Sequence, residues 1–205
     1  MTTNQTHPRF ERTLAIIKPD GVQRSLVGEI LRRFENVGLK VIGMKMLVAD
    51  PRHIEKHYTL DPAWKENVGK KSIEAYIKQG KHQFSEDPLV VADTILVRLK
   101  SYMTSGPVVA IVLQGAHAVG VTRKLVGGTE PLSSDVGTIR GDYVHDSYTM
   151  SDMDDRSIRN VIHASGSPAE AEAEIAHWFK EGEVIDYRLV QEVILYDVNV
   201  DGNFE

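Results

Sequence analysis

His163 is the side chain with the widest chemical reach in this sequence. It closes an apolar stretch, and Ala164, Ser165 and Gly166 separate it from Ser167-Pro168-Ala169-Glu170. That tetrapeptide is a helix start, with serine as N-cap, proline at the first position and glutamate closing a capping box. An imidazole placed there faces the positive end of a helix, where backbone amides and the macrodipole favour a phosphate. Along the helix, Ala171, Ile175, Trp178 and Phe179 form an apolar stripe on which Glu174 also falls, so a carboxylate is aimed inward and needs a donor. A ring N–H of His163 would satisfy it, fix the tautomer and leave the other ring nitrogen as a nucleophile. On spacing alone two blander readings stand beside this one: Glu174 snorkels or meets a basic side chain, and a lone histidine merely caps its strand.

Cations that suit a phosphate occur elsewhere. Lys18 stands at the end of an apolar run in the turn Lys18-Pro19-Asp20-Gly21, and Arg140 is flanked by glycines in Gly137-Thr138-Ile139-Arg140-Gly141-Asp142. Arginine forks bind phosphate bidentately, and the glycines permit close approach. Arg123, six residues before Thr129, lies near Gly127-Gly128 and by default is a solvated surface residue. His53 and His57 share a helix face but have no third ligand at a metal-binding spacing, so no metal site is assigned. His117 and His177 have no companion signal. Tyr58, Trp64 and Tyr76 either stack on a base or fill a core.

The elements that must position these groups are legible in outline. Thr13 to Ile17 and Val108 to Leu113 are apolar runs that read as buried strands. Leu39 to Leu47 reads as another strand and Asn160 to His163 as a short one. Val27, Ile30, Leu31, Phe34 and Val37 step by three or four and stop at Gly38, which predicts a helix. Pro88 to Met103 and about 116 to 125 also read as helices. Residues 50 to 87 read as short helices and loops, and 126 to 155 as loop. The order contains the β-α-β-β-α-β pattern of a ferredoxin-like sheet, an α+β class with additional helices, in a single domain spanning 1–205.

With 205 residues, the chain is long enough to bury roughly 70% of its unfolded surface. The composition, 41% hydrophobic and 26% charged, is that of a globular protein. No cysteine is present, which removes disulfides, thiolate nucleophiles and zinc–cysteine sites. The net charge of -5 argues against a general nucleic-acid or membrane-surface binder. Met1 to Phe10 is polar and no apolar run reaches membrane-spanning length, so a cytoplasmic protein is expected. The Asn4-Gln5-Thr6 sequon is read as chance.

Four segments then converge. IIKPDGVQRSLVGEILRRFE at Ile16 to Glu35, SGPVVAIVL at Ser105 to Leu113, GTIRGDY at Gly137 to Tyr143 and RNVIHASGSPAEAEAEIAHWF at Arg159 to Phe179 closely resemble the nucleoside diphosphate kinases, in the same order. The resemblance implies a ping-pong reaction: His163 takes the γ-phosphoryl group of a nucleoside triphosphate and passes it to a nucleoside diphosphate. It implies that Lys18 contacts the phosphoryl group and ribose, that Tyr58 positions the phosphate, and that Arg123, Thr129 and Arg140 bind phosphates. Asn160 would read the sugar hydroxyl, while Ser165 and Glu174 support the histidine. Magnesium would arrive on the nucleotide phosphates, with no dedicated protein metal site, and a homo-oligomer, hexamer or tetramer, is implied.

The departures are a glycine, Gly166, where the family has aspartate, and Ala164 after the histidine. The chain is also longer than the family pattern by roughly 30 residues within about 60–90, and by about 10 residues within about 144–155, where loops tolerate insertion. The first insertion covers the family's base-stacking phenylalanine, and Trp64 is the substitute named for it. The alternative is a catalytically weak nucleotide-binding or scaffold protein of the same fold.

Overall fold

The computed structural model describes residues 7–78 and 80–203, so the Asn4-Gln5-Thr6 sequon lies outside the described residues. Four strands, β1 (Arg12–Ile17), β2 (Lys40–Leu47), β3 (Val108–Gln114) and β4 (Ile162–Ala164), form one antiparallel sheet in the order β2-β3-β1-β4. This is the ferredoxin-like α+β arrangement. β1 and β3 are buried on both faces, which explains why their sequences read as unbroken apolar runs rather than alternating ones. On one face Ala15, Ile17, Ile111 and Leu113 pack with Ile30 and Phe34 of α2 (Val27–Asn36). On the other, Leu14, Ile16, Ala110 and Val112 pack with Ile54 of α3 (Pro51–Tyr58), Met103 and Trp178. The β1–β4 register sets Ile16 opposite His163, so the first apolar run fixes where the histidine stands.

α1 (Pro19–Gln23) begins inside the Lys-Pro-Asp-Gly turn, with proline in its first turn. α2 ends as its sequence predicts: Gly38 adopts φ 86°, its N–H donates to the Glu35 carbonyl at 2.9 Å, and Leu39 N–H donates to the Phe34 carbonyl at 3.2 Å. Those two bonds satisfy carbonyls the helix would otherwise leave open.

Two stretches carry more regular structure than the sequence suggests. Residues 50–87 contain α3 and then α4 (Trp64–Lys78), a 15-residue helix that packs against α5 (Pro88–Met103). Residues 126–155, read as loop, hold α7 (Ile139–Tyr143) and α8 (Tyr148–Met153). Each is too short to show a period, and each is set by a local cap: Thr138 Oγ1 accepts the Gly141 N–H and Ser147 Oγ accepts the Met150 N–H. The remaining α-helices among the described residues are α6 (Ala118–Val126), α9 (Pro168–Trp178) and α10 (Glu192–Leu195). No helix among the described residues is long and apolar enough to cross a membrane.

The approach of α4 to α5 depends on Gly69, where an added Cβ would lie 1.9 Å from the Pro88 carbonyl oxygen. Gly69→Ala is therefore expected to destabilise the protein by about 1–3 kcal/mol despite alanine's better helix propensity. A circular dichroism melt should show Tm falling by roughly 3–10 °C. An unchanged or raised Tm contradicts this packing.

Candidate active site

β4 delivers His163 from the sheet edge, just after a constrained turn. Val161 holds φ 55°, a left-handed conformation costly for a β-branched residue. The turn is over-determined: Val161 N–H donates to Asp20 Oδ2 at 3.3 Å, and its carbonyl accepts from Lys18 N–H at 2.8 Å. Asp20 Oδ1 accepts the Tyr102 hydroxyl at 2.6 Å, and that hydroxyl accepts the Asn160 N–H at 3.3 Å. The first turn of α1 and the end of α5 thus hold the backbone that precedes the histidine.

His163 Nε2 lies 2.8 Å from Glu174 Oε1, and Ser165 Oγ donates to Glu174 Oε2 at 2.6 Å. Glu174 is 3% exposed, so both of its oxygens find their donors in a dry environment. A carboxylate only accepts, which assigns the proton to Nε2 and leaves Nδ1 of His163 as a lone pair with no partner among the described residues. Ser165 also accepts the Leu14 N–H at 3.2 Å, tying the support to β1.

Lys18, Tyr58, Trp64, Arg123, Thr129, Arg140, Asn160, His163 and Glu174 all line one cavity of about 940 Å³, while Ser165 sits behind Glu174. Lys18 Nζ donates to Asn160 Oδ1 at 2.7 Å. Burial first, then the Arg140 charge, lowers the Lys18 ammonium to about 7, with Asp20 opposing. Asn160 Nδ2 donates to the Thr129 carbonyl at 2.9 Å, leaving its amide one N–H and one lone pair to spare.

The two arginines differ. Arg140 is buried, with Nε on the Asn160 carbonyl, Nη1 on those of Gly127 and Gly128, and Nη2 on that of Ile162. Four of its five N–H groups are engaged, and burial pulls it down to about 10. It braces the loops around the cavity and contributes charge more than a free fork. Arg123 on α6 is exposed and has no hydrogen bond or ion pair with a described residue. Its fork is open to an anion.

Tyr58 ends α3 half-buried, and burial holds its hydroxyl above the usual phenol range. Trp64, the first residue of α4, sets its ring 5.5 Å from that of Tyr58 at 40°. Tyr76, Arg98 and Asp152 also line the cavity: Arg98 of α5 pairs with Asp155 at 2.5 Å just past α8, and the Tyr76 hydroxyl of α4 bonds the Asp152 carboxyl of α8.

Sequence reasoning missed Asp20, Tyr102, Glu170, His57 and Trp178. Asp20 was in view within its turn, but its partners lie about 80 and 140 positions away. His57, read only as sharing a helix face with His53, is buried, and its ring packs edge-on 4.6 Å from that of His163. His57, His163 and Glu174 bring three ligand atoms within 4.8 Å of one another. Within the trio, Trp178 Nε1–H donates to His57 Nδ1 at 3.1 Å and His163 Nε2 holds Glu174 Oε1, so these atoms are already engaged with one another and with the core.

The chain as a whole is similar to known proteins. A family model described as nucleoside diphosphate kinase matches residues 11–87 and 89–184. A nucleoside diphosphate kinase of Pyrobaculum aerophilum is 47% identical over 180 residues, 86% of this chain and 98% of the relative. One from Pelotomaculum thermopropionicum is 41% identical over 188 residues, 92% and 100% of the two chains. The crystal structure of an NDP kinase from Pyrobaculum aerophilum superposes with TM-score 0.82 at 45% identity, over 86% of this chain and all of that one. A transition-state mimic of the Borrelia burgdorferi nucleoside-diphosphate kinase, with bound vanadate and ADP, gives 0.74 at 35% identity, over 90% and 96%.

Proposed function

We propose, for a chain that belongs to the nucleoside diphosphate kinase family, that the γ-phosphoryl group of a nucleoside triphosphate passes through Nδ1 of His163 on its way to a nucleoside diphosphate. The observation that carries this reading is the 2.8 Å bond from His163 Nε2 to Glu174, which leaves Nδ1 without a partner among the described residues in a cavity that Lys18, Arg123 and Arg140 also line. Nδ1 attacks the γ-phosphorus, the bond to the β-phosphate oxygen breaks, and the nucleoside diphosphate leaves. A β-phosphate oxygen of the second nucleotide then attacks, and the N–P bond returns its electron pair to Nδ1. Nε2–H stays on Glu174 throughout, where the carboxylate stabilises the positive charge of the phosphorylated ring.

Arg123 offers its free fork to the phosphates, and Lys18 meets the transferred oxygens while Asn160 holds its ammonium. The spare N–H and lone pair of Asn160 suit a sugar hydroxyl. Trp64 is the stacking surface for the base beside Tyr58. Magnesium belongs to the same reading, carried on the phosphates, where it screens their charge. Gly166 offers no carboxylate, and a Cβ there would fall 2.7 Å from Glu170 Oε2 and 3.7 Å from Arg123 Nη1. The space is held by the Glu170 carboxylate, which accepts the Gly166 N–H at 3.0 Å and is the oxygen ligand that would face the hydrated ion. Assembly as a hexamer or tetramer and a cytoplasmic setting complete the reading.

Incubation with γ-labelled ATP is expected to give an acid-labile, base-stable protein label that any of several nucleoside diphosphates discharges. An acid-stable label, or one that no diphosphate removes, overturns transfer through a histidine.

A further inference from the structure

His57 takes no part in the phosphoryl transfer described above, yet it is among the most buried polar side chains and lies directly against the nucleophile. Its Nδ1 stands 3.6 Å from Glu174 Oε1, the oxygen that His163 Nε2 holds at 2.8 Å. One shift of a few tenths of an ångström would make His57 a second donor to that oxygen. Trp178 prevents it. An indole N–H only donates, so its 3.1 Å bond to His57 Nδ1 requires a lone pair there, and the ring proton must sit on Nε2. That choice is costly, since His57 Nε2 is buried with no hydrogen-bond partner among the described residues. Without the indole N–H, this site would favour the proton on Nδ1, where Glu174 Oε1 can accept it, over Nε2, where no described group does.

We propose that Trp178 is a positioning residue that locks His57 in the Nε2–H tautomer and so reserves Glu174 Oε1 for His163. The inference rests on the reading of His163 as the nucleophile. The charged and titratable groups around His57 are His163 on β4, Glu174 and His177 on α9, Lys18 at the end of β1, and His53 and Tyr58 on α3. Burial, followed by His163, His177, Lys18 and His53, holds His57 well below the usual histidine range, so the competition is between tautomers and not between charge states.

The test is Trp178→Phe, which keeps a ring in the core and deletes the N–H. In the wild-type protein, ¹⁵N NMR is expected to show His57 with a protonated Nε2 and a bare Nδ1. In the variant the proton moves to Nδ1, and Glu174 Oε1 is shared between two ring N–H groups instead of being held by His163 alone. Phosphoenzyme formation should then slow by about tenfold, with the midpoint of its pH profile lowered by roughly half a unit to one unit. Adding His57→Phe, which cannot compete for Glu174, should bring that midpoint back towards wild type. Loss of packing alone would slow the reaction without moving the midpoint. A wild-type His57 protonated on Nδ1, or an unmoved midpoint in Trp178→Phe, overturns the proposal. If Trp178→Phe fails to fold, the wild-type tautomer decides. If no phosphoenzyme forms in the wild type, it is the assignment of His163 that has failed.

Discussion

His163→Gln is expected to abolish the phosphoenzyme and to lower kcat for nucleotide exchange by at least about 10⁴-fold. The glutamine amide can still donate to Glu174 Oε1, so the buried carboxylate keeps both partners and the cavity keeps its charges. What it lacks is a lone pair able to bond phosphorus. Positioning and electrostatics from Lys18, Arg123 and Arg140 remain, and they can support at most slow direct transfer. His163→Ala is a poorer probe, because it leaves Glu174 without one donor and adds a stability loss of about 1–3 kcal/mol. Rapid-quench labelling with a thermal melt separates the two effects. Turnover within about a hundredfold of wild type, in a glutamine variant that melts normally, would mean the phosphoryl group travels by another route.

Glu174 was legible because helical spacing places it on the stripe with Ala171, Ile175 and Trp178, and burial of a carboxylate demands a donor. β1 and β3 were legible because strands covered on both faces read as continuous apolar runs. The bracing of the site was not. Asp20, Tyr102, Asn160 and Val161 form one hydrogen-bonded unit, but they come from α1, α5 and the turn before β4, and no local pattern announces such a meeting. α4 and α8 were hidden for a related reason. Gly69 weakens the helical signal of α4 while its lack of a Cβ is what admits Pro88, and α8 is defined by the cap of Ser147 rather than by a period. Arg140 illustrates the limit of reading charge from sequence: its flanking glycines suggested an open phosphate fork, whereas its guanidinium is mostly spent on backbone carbonyls of the loops it joins.

Lys18→Met is expected to raise stability near neutral pH while lowering kcat/KM by about 10²–10³-fold. Lys18 is 5% exposed and lowered to about 7 from its usual 10.5, chiefly by burial. Between those values the unfolded chain binds the proton and the folded chain does not, so this group makes stability rise with pH across that window. Below about 7 its full cost bears on the fold. Methionine removes the charge and keeps the length, at the expense of the Asn160 Oδ1 partner. The variant's Tm should therefore exceed the parent's by roughly 3–8 °C at about pH 6, with the advantage shrinking or reversing by about pH 10. The same depression predicts how nucleotides bind. A phosphate placed against Nζ favours the ammonium, so at about pH 8, where the nucleotide phosphates are already ionised, binding should draw in close to one proton. Calorimetry in buffers of different ionisation enthalpy reads that uptake directly, and Lys18→Met should eliminate it. A parent that binds nucleotide without proton uptake, or a variant that is less stable than the parent at about pH 6, would show that Lys18 sits in the fold as an ordinary charged lysine.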